Sequence, residues 1–462
     1  MCKQDKLPLL EAIKKYADLE CLRMHMPGHK GRSFPDFFSE LVVDKFYKLD
    51  VTELPGTDDL HAPTGAIAEA ENLAAKLFGA QSTVFLVNGA TQGINALMML
   101  EAGKKIILPR HAHKALYHGL ILSGAKPLYI KPKYLPEWGV ASGSDLEHYK
   151  SLTVENPDVA QVWLTSPTYF GHLENIKLFK KHLPSKAKLY VDEAHGSHLR
   201  FMGSGETAIQ QGADAAVQSW HKTLGAFTQS AVIHFISTVL AVETRRTIAL
   251  TETTSPSYLL LLSLDSARRY MALYGETILA KTLIATEYLR EQLQSIAGLS
   301  LMAVQDQTKI AISLPGYSGQ DLFDILMKNG IMPELAQGNF VLLQSTLYFS
   351  RQDANRVLKV IRNIKVNQNI KVSVQALPTM TQTALSPREA FYADKSVVPL
   401  QETLGKISGE FVIPYPPGIP VLVPGEVITQ DIRDYLSYLR KDKIKIHGPK
   451  DLELHTLAVI ND

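Results

Sequence analysis

Cysteine is nearly absent: Cys2 and Cys21 are the two in 462 residues, and both lie near the N-terminus. A disulfide framework is thereby excluded and a reducing compartment is favoured. No run approaches the roughly 18 consecutive apolar residues of a membrane span. The opening MCKQDKLPLLEAIKKYADLE has no uninterrupted apolar stretch, so no signal peptide is expected. An excess of one charge is lacking as well. Lys and Arg number 48 against 46 Asp and Glu, a formal +2 with no basic block, which removes the case for a nucleic-acid partner. There is no internal repeat and no low-complexity tract. What is there is the composition of a soluble cytoplasmic enzyme, 45% hydrophobic and 20% charged, in a chain long enough for two or three domains.

Between residues 83 and 235, short apolar runs alternate with helical or loop segments: 83–87, 105–108, 127–130, 160–164, 188–191, 214–218 and 231–235. Several are apolar throughout, the pattern of strands covered on both faces. The alternation predicts an α/β domain around a mostly parallel sheet, with ligands at the carboxyl ends of its strands. Before it, 7–19 read as a short amphipathic helix and 26–32 as a loop. Ile67, Ala70, Leu73, Ala74 and Leu77 then recur at helical spacing up to a stop at Gly79. After it come a long helix at about 275–297 and a small α+β unit built on the runs 308–314 and 340–346. Residues 366–384 read as a linker, and the proline-dense 412–426 fits neither a helix nor a central strand. The expected units are an arm with interface loops (1–65), a large domain (66–265), a small domain (266–370) and a C-terminal domain (385–462).

The strand ends carry the chemistry. Lys222, in Ser-Trp-His-Lys-Thr-Leu-Gly at 219–225, follows Asp192, in Asp-Glu-Ala-His-Gly at 192–196, by thirty residues. A partly desolvated lysine can attack an aldehyde cofactor and hold it as a Schiff base. An aspartate at a strand end can keep a pyridine nitrogen protonated, so that the ring accepts electrons. Each has a plainer reading, a surface lysine and a helix-capping aspartate. Their neighbours shift the balance: Ser219 and His221 as phosphate donors, Gly225 for close backbone approach, and Ala194 small enough to lie under a flat ring. Asn-Gly-Ala-Thr-Gln-Gly at 88–93 offers backbone amides and the Thr91 hydroxyl to a phosphate at a helix N-terminus, or is merely a tight turn. His113 could stack on the cofactor ring. Metal binding by the histidines at 111, 113 and 118 is discounted, since no cysteine and few carboxylates complete a set. The hydroxyl cluster 253–257 has the character of a helix cap.

Assembled, these segments resemble the ornithine/lysine/arginine decarboxylases, which use pyridoxal phosphate (PLP) on an aspartate-aminotransferase-like scaffold, fold type I. The resemblance is to the short Gram-positive form without an N-terminal receiver-like domain. It runs end to end: MPGHKG at 26–31, LPGTDDLHAPTGAI at 54–67, SPTYFG at 166–171, VDEAHG at 191–196, SWHKTLGAFTQSA at 219–231, TTSPSYLLLLSLD at 253–265 and PYPPGIPVLVPGE at 414–426.

The resemblance implies Lys222 as the Schiff-base lysine, Asp192 as the pyridinium partner and His113 as the stacking imidazole. It implies phosphate contacts from the Ala90 backbone, Thr91, Ser219 and His221. It implies a homodimer with shared sites or a higher oligomer, in which the hydroxyl of Thr254 reaches the phosphate in the partner subunit. Glu402 matches an acidic position near the distal cation of the substrate, ahead of Asp58 and Asp59. One departure stands out: Ala90 replaces a hydroxyl residue often found in the phosphate turn, which predicts weaker cofactor binding. The implied activity is α-decarboxylation of arginine or lysine, ahead of ornithine, giving agmatine, cadaverine or putrescine, a polyamine or its precursor. An aminotransferase or lyase on the same fold stays open, with Arg351 or Arg356 as carboxylate anchors, as does a PLP-binding protein without activity.

Overall fold

Each of the seven apolar runs between 83 and 235 forms a strand of one sheet. The strands are β1 Ser82–Leu86, β2 Lys105–Pro109, β3 Lys126–Ile130, β4 Gln161–Thr165, β5 Lys188–Asp192, β6 Ala215–Gln218 and β7 Ala231–Phe235. Their order is β1-β7-β6-β5-β4-β2-β3. Every neighbouring pair from β6 to β3 is parallel, and β7 runs antiparallel to both β6 and β1. All strands except β7 therefore end at the same edge. In this computed structural model the described residues are 20–24, 49–54, 56–203, 206–366, 375–378, 380, 382–442 and 444–461. The helix expected at 7–19, the loop at 26–32 and part of the 366–384 linker lie outside them.

Both faces of the sheet are covered, which is why the strands are apolar throughout: β6 and β7 are buried at every position. Helix α1 Ala66–Phe78 stops where expected, with Gly79 left-handed at φ 71°. At its start the Asp58 carboxylate accepts N–H bonds from Thr64, Gly65, Ile67 and Ala68 at 2.8–3.2 Å. Desolvation works to raise the Asp58 pKa, but these amides outweigh it and hold the carboxyl at about 2. Helices α2 Gly89–Met99 and α3 Lys114–Ser123 leave from the ends of β1 and β2. Gly93 lets α2 lie close on the sheet, since a Cβ there would sit 2.7 Å from Leu86 Cδ1.

The long helix differs from expectation. Helix α4 runs from Tyr258 to Gln294 without a break, starting well before residue 275 and passing through 265. Its first turns are apolar nearly all round and show no helical period. Further on a helical period is present, with Ala285, Leu289 and Leu293 buried on one face. A four-stranded antiparallel sheet follows, of β8 Ser300–Leu301, β9 Lys309–Ser313, β10 Leu335–Gln337 and β11 Phe340–Gln344, in the order β8-β9-β11-β10. In the C-terminal region Lys395–Pro399 pairs with Thr456–Ile460, beside the amphipathic helix Gln430–Lys441. The proline-dense stretch 412–426 is loop apart from the two-residue strand Ile413–Pro414. A buried ion pair ties it to the large sheet: Arg110 Nε and Nη2 each donate to Glu426 at 2.9 Å.

Candidate active site

The shared edge of the large sheet opens into a cavity of about 370 Å³. After β1 it receives Gly89, Ala90 and Thr91; after β2, His111 and His113; after β4, Thr168 and Tyr169. Asp192, Ala194 and His195 enter from the end of β5, and Ser219, His221 and Lys222 from the end of β6. Parallel strands place these residues side by side although they are spread over more than a hundred positions. The C-terminal region supplies a wall through Tyr415, Pro416, Pro417 and Ile419. Gly418, at φ 91°, makes that wall possible, because a Cβ there would come within 3.1 Å of His113 Nε2.

Lys222 Nζ lies 2.9 Å from His195 Nε2. Burial pushes its pKa down to about 8; Asp192 opposes that shift and Lys309 adds to it. At pH 7 roughly a tenth of such an amine is neutral, against well under a thousandth for an ordinary lysine. Asp192 is 4% exposed, and its Oδ1 accepts the Ala194 N–H at 3.1 Å. Burial raises its pKa, while Lys222 and that amide pull the other way. His113 caps α3 by accepting the Ala115 N–H on Nδ1 at 3.2 Å. Burial first, then the charge of Lys222, lowers its pKa to about 3, so the ring is neutral with its proton on Nε2.

These groups suit PLP on their own terms. The first turn of α2 and the Ser219 hydroxyl offer donors to an anion, and His221, whose Nδ1 donates to the Ser230 carbonyl at 3.1 Å, lines the same cavity. A flat ring fits between the neutral His113 imidazole and the small Ala194. A buried carboxylate with one amide donor matches a protonated ring nitrogen, and an amine of lowered pKa matches an aldehyde. So the structure brings together Ala90, Thr91, His113, Asp192, Ala194, Ser219, His221 and Lys222.

It does not bring in Thr254 or Glu402 from the same chain. Thr254 is exposed just before α4, and Glu402 is exposed on the turn Leu400–Glu402. Asp58 is committed to the start of α1. Asp59 Oδ1 accepts the His61 N–H at 2.8 Å. Arg351 lies over the Tyr288 ring at 4.2 Å, and Arg356 lines other surface depressions, so neither forms part of the cavity. Asp192 is the one carboxylate among the described residues that line it. Among the described residues no group of three or more His, Cys, Asp or Glu is placed to hold a metal ion, and no helix is long and apolar enough to cross a membrane.

Several site residues were missed from sequence. His195 and Tyr169 stand inside the motifs at 191–196 and 166–171, which was a usable signal. Tyr169 meets the His195 ring edge-on at 4.8 Å and donates its hydroxyl to Glu334. Lys309 and Glu334, from the small sheet, carried no local signal.

The family description "Orn/Lys/Arg decarboxylase, major domain" matches residues 7–313, and "Orn/Lys/Arg decarboxylase, C-terminal domain" matches residues 368–450. The chain is 34% identical to the arginine decarboxylase of Bacillus subtilis, covering 99% of each. It is 32% identical to the arginine decarboxylase of Halalkalibacterium halodurans, covering 100% of this chain and 99% of that one. Lysine decarboxylase LdcA of Pseudomonas aeruginosa is 24% identical, over 94% of this chain and 75% of that one. Among solved structures, lysine decarboxylase A from Pseudomonas aeruginosa superposes with a TM-score of 0.79 at 20% identity, covering 98% of this chain and 80% of that one. The constitutive lysine decarboxylase of E. coli gives 0.77 at 18%, covering 99% and 82%.

Proposed function

This chain belongs to the Orn/Lys/Arg decarboxylase family, and from that membership we propose that it is a PLP-dependent α-decarboxylase of arginine, forming agmatine and CO₂. Its fold is PLP fold type I, and its activity class is decarboxylation of a basic amino acid. Arginine is chosen over lysine because the arginine decarboxylases are the more similar relatives. One observation carries the assignment of the site: a lysine amine of lowered pKa and a buried carboxylate meet in one cavity under a neutral imidazole.

When bound, PLP supplies an electron sink for the pair released as CO₂ leaves Cα. Lys222 is the attachment amine, and Asp192 holds the proton on the ring nitrogen. His113 and Ala194 would lie against its two faces, while the Ala90 amide, Thr91, Ser219 and His221 would hold the phosphate. Tyr169, Phe170 and the wall 415–419 exclude water. His195, 2.9 Å from Lys222 Nζ, is placed to give or take a proton there.

We assign the chain to a homodimer with shared sites. In support, among the described residues the cavity is lined by no acid other than Asp192, while Thr254 and Glu402 are both exposed. In this reading they serve the partner's cavity, Thr254 at the phosphate and Glu402 at the guanidinium. CO₂ release from arginine, lysine and ornithine under identical conditions tests the substrate. Faster turnover of lysine or ornithine than of arginine would overturn the choice, and a requirement for a keto acid would replace decarboxylation with transamination.

A further inference from the structure

Lys309 stands first in β9 and is fully buried. No step above uses it. Across the small sheet it faces Gln344, and its Nζ donates to Gln344 Oε1 at 2.8 Å. The same Nζ lies 5.4 Å above the Tyr169 ring and 3.5 Å from His195 Nδ1, the outer limit of a hydrogen bond. His195 Nε2, on the opposite side of that ring, is the atom 2.9 Å from Lys222 Nζ. One imidazole therefore stands between the buried Lys309 and the half-buried Lys222.

Polarity settles which way the hydrogens point. An ammonium has three donors and no acceptor, so Lys309 can only donate to Nδ1. With Lys309 as the ammonium, the ring proton is on Nε2, where it can donate to the lone pair of the proton-free form of Lys222. The surrounding charges are consistent with this direction. Burial lowers the Lys309 pKa, and Asp306 and Glu334 work against that shift; Asp306 is itself held by His198 at 3.1 Å and the Thr308 hydroxyl at 2.6 Å. Glu334 accepts from Tyr169. The groups facing Lys222 are Asp192 and Glu334, which favour its proton, and Lys309, which opposes it. His113 and His221 complete the surroundings.

We propose that Lys309 is a positioning residue acting through His195: its ammonium fixes the imidazole with the proton on Nε2, and the imidazole favours the proton-free form of the Lys222 nitrogen, the form that attacks an aldehyde. The proposal rests on the reading of Lys222 as the amine of the site. It is tested on the full chain after PLP is removed by dialysis against cysteine. Pulses of acetic anhydride across a pH series, followed by mass spectrometry of the peptide holding Lys222, give the midpoint of its titration.

Lys309→Met is expected to raise that midpoint by about one pH unit. Gln344→Glu, which sets a carboxylate beside the intact Lys309, is expected to raise it by a smaller amount. Thermal unfolding checks that each variant is folded. If Lys309→Met does not fold, the Gln344→Glu protein decides alone. An unchanged or lower midpoint in either folded variant overturns the proposal, whereas a purely structural role would change unfolding and leave the midpoint in place. Labelling needs neither substrate nor turnover, so a chain that failed to release CO₂ would leave this result intact.

Discussion

Replacing Glu426 by alanine is expected to strip the C-terminal wall from the cavity and to destabilise the chain. Arg110 is 12% exposed at its side chain and Glu426 2%, and their two hydrogen bonds are both 2.9 Å. Glu426 also accepts the Val423 N–H at 2.9 Å. Removing one partner of a buried pair leaves the other charge without compensation, which costs about 3–5 kcal/mol. Arg110 keeps acceptors in the carbonyls of Pro420 at 2.8 Å and Val421 at 3.2 Å, which argues for the lower half of that range. Glu426→Gln, retaining shape without charge, should cost less, about 2 kcal/mol.

Urea unfolding measures this. A chain of 462 residues is not assured of two-state behaviour, so two probes are compared. All three tryptophans, 138, 163 and 220, lie outside the C-terminal region, and fluorescence follows them while circular dichroism follows the whole chain. In Glu426→Ala the two transitions should separate and the PLP dissociation constant should rise. Arg110→Met combined with Glu426→Leu, which removes both charges, should regain most of the loss. A Glu426→Ala protein within about 1 kcal/mol of the parent, with coincident transitions, would refute the reasoning.

Other perturbations give equally direct readings. Asp192→Ala should lower kcat on the order of 10²–10³-fold, as loss of a buried charge partner does, and comparable turnover would remove Asp192 from the ring nitrogen. Ala90→Ser, in the first turn of α2 and facing the cavity, should tighten PLP binding by roughly two- to tenfold through one added hydrogen bond, measured by fluorescence titration; an unchanged dissociation constant contradicts the phosphate assignment. With the Lys222 pKa near 8, capture of PLP by the cofactor-free protein should accelerate as pH rises through about 8 and level off above it. The sign follows from the neutral amine being the attacking form, and stopped-flow absorbance decides it. Mixing inactive Lys222→Ala and Thr254→Glu proteins should restore about a quarter of the parental activity if sites are shared by two subunits, and none if each chain works alone.

Much of the fold was legible in sequence because its strands are short, apolar and buried on both faces. All seven runs from 83 to 235 form strands of the large sheet, and the runs 308–314 and 340–346 contain β9 and β11. The 253–257 cluster read as a helix cap, and α4 does start at Tyr258 with Ser257 at its cap position; its unbroken run to Gln294 was not legible, since the apolar opening turns carry no period. Lys222, Asp192 and His113 could be picked out because each follows a recognisable strand. His195 lay inside a legible motif, but a histidine three residues after an aspartate does not announce what lies 2.9 Å away.

By itself the sequence determined the order of elements, the edge where chemistry gathers, and the residue types able to grip a pyridine ring and a phosphate. These are local properties of strand, turn and helix start. Only the tertiary structure decided that Asp58 accepts the backbone amides at the start of a helix, that a proline-rich loop walls the cavity, and that Lys309 stands one imidazole away from Lys222. Those facts depend on the separation and burial of charges from distant parts of the chain. Sequence spacing does not encode them.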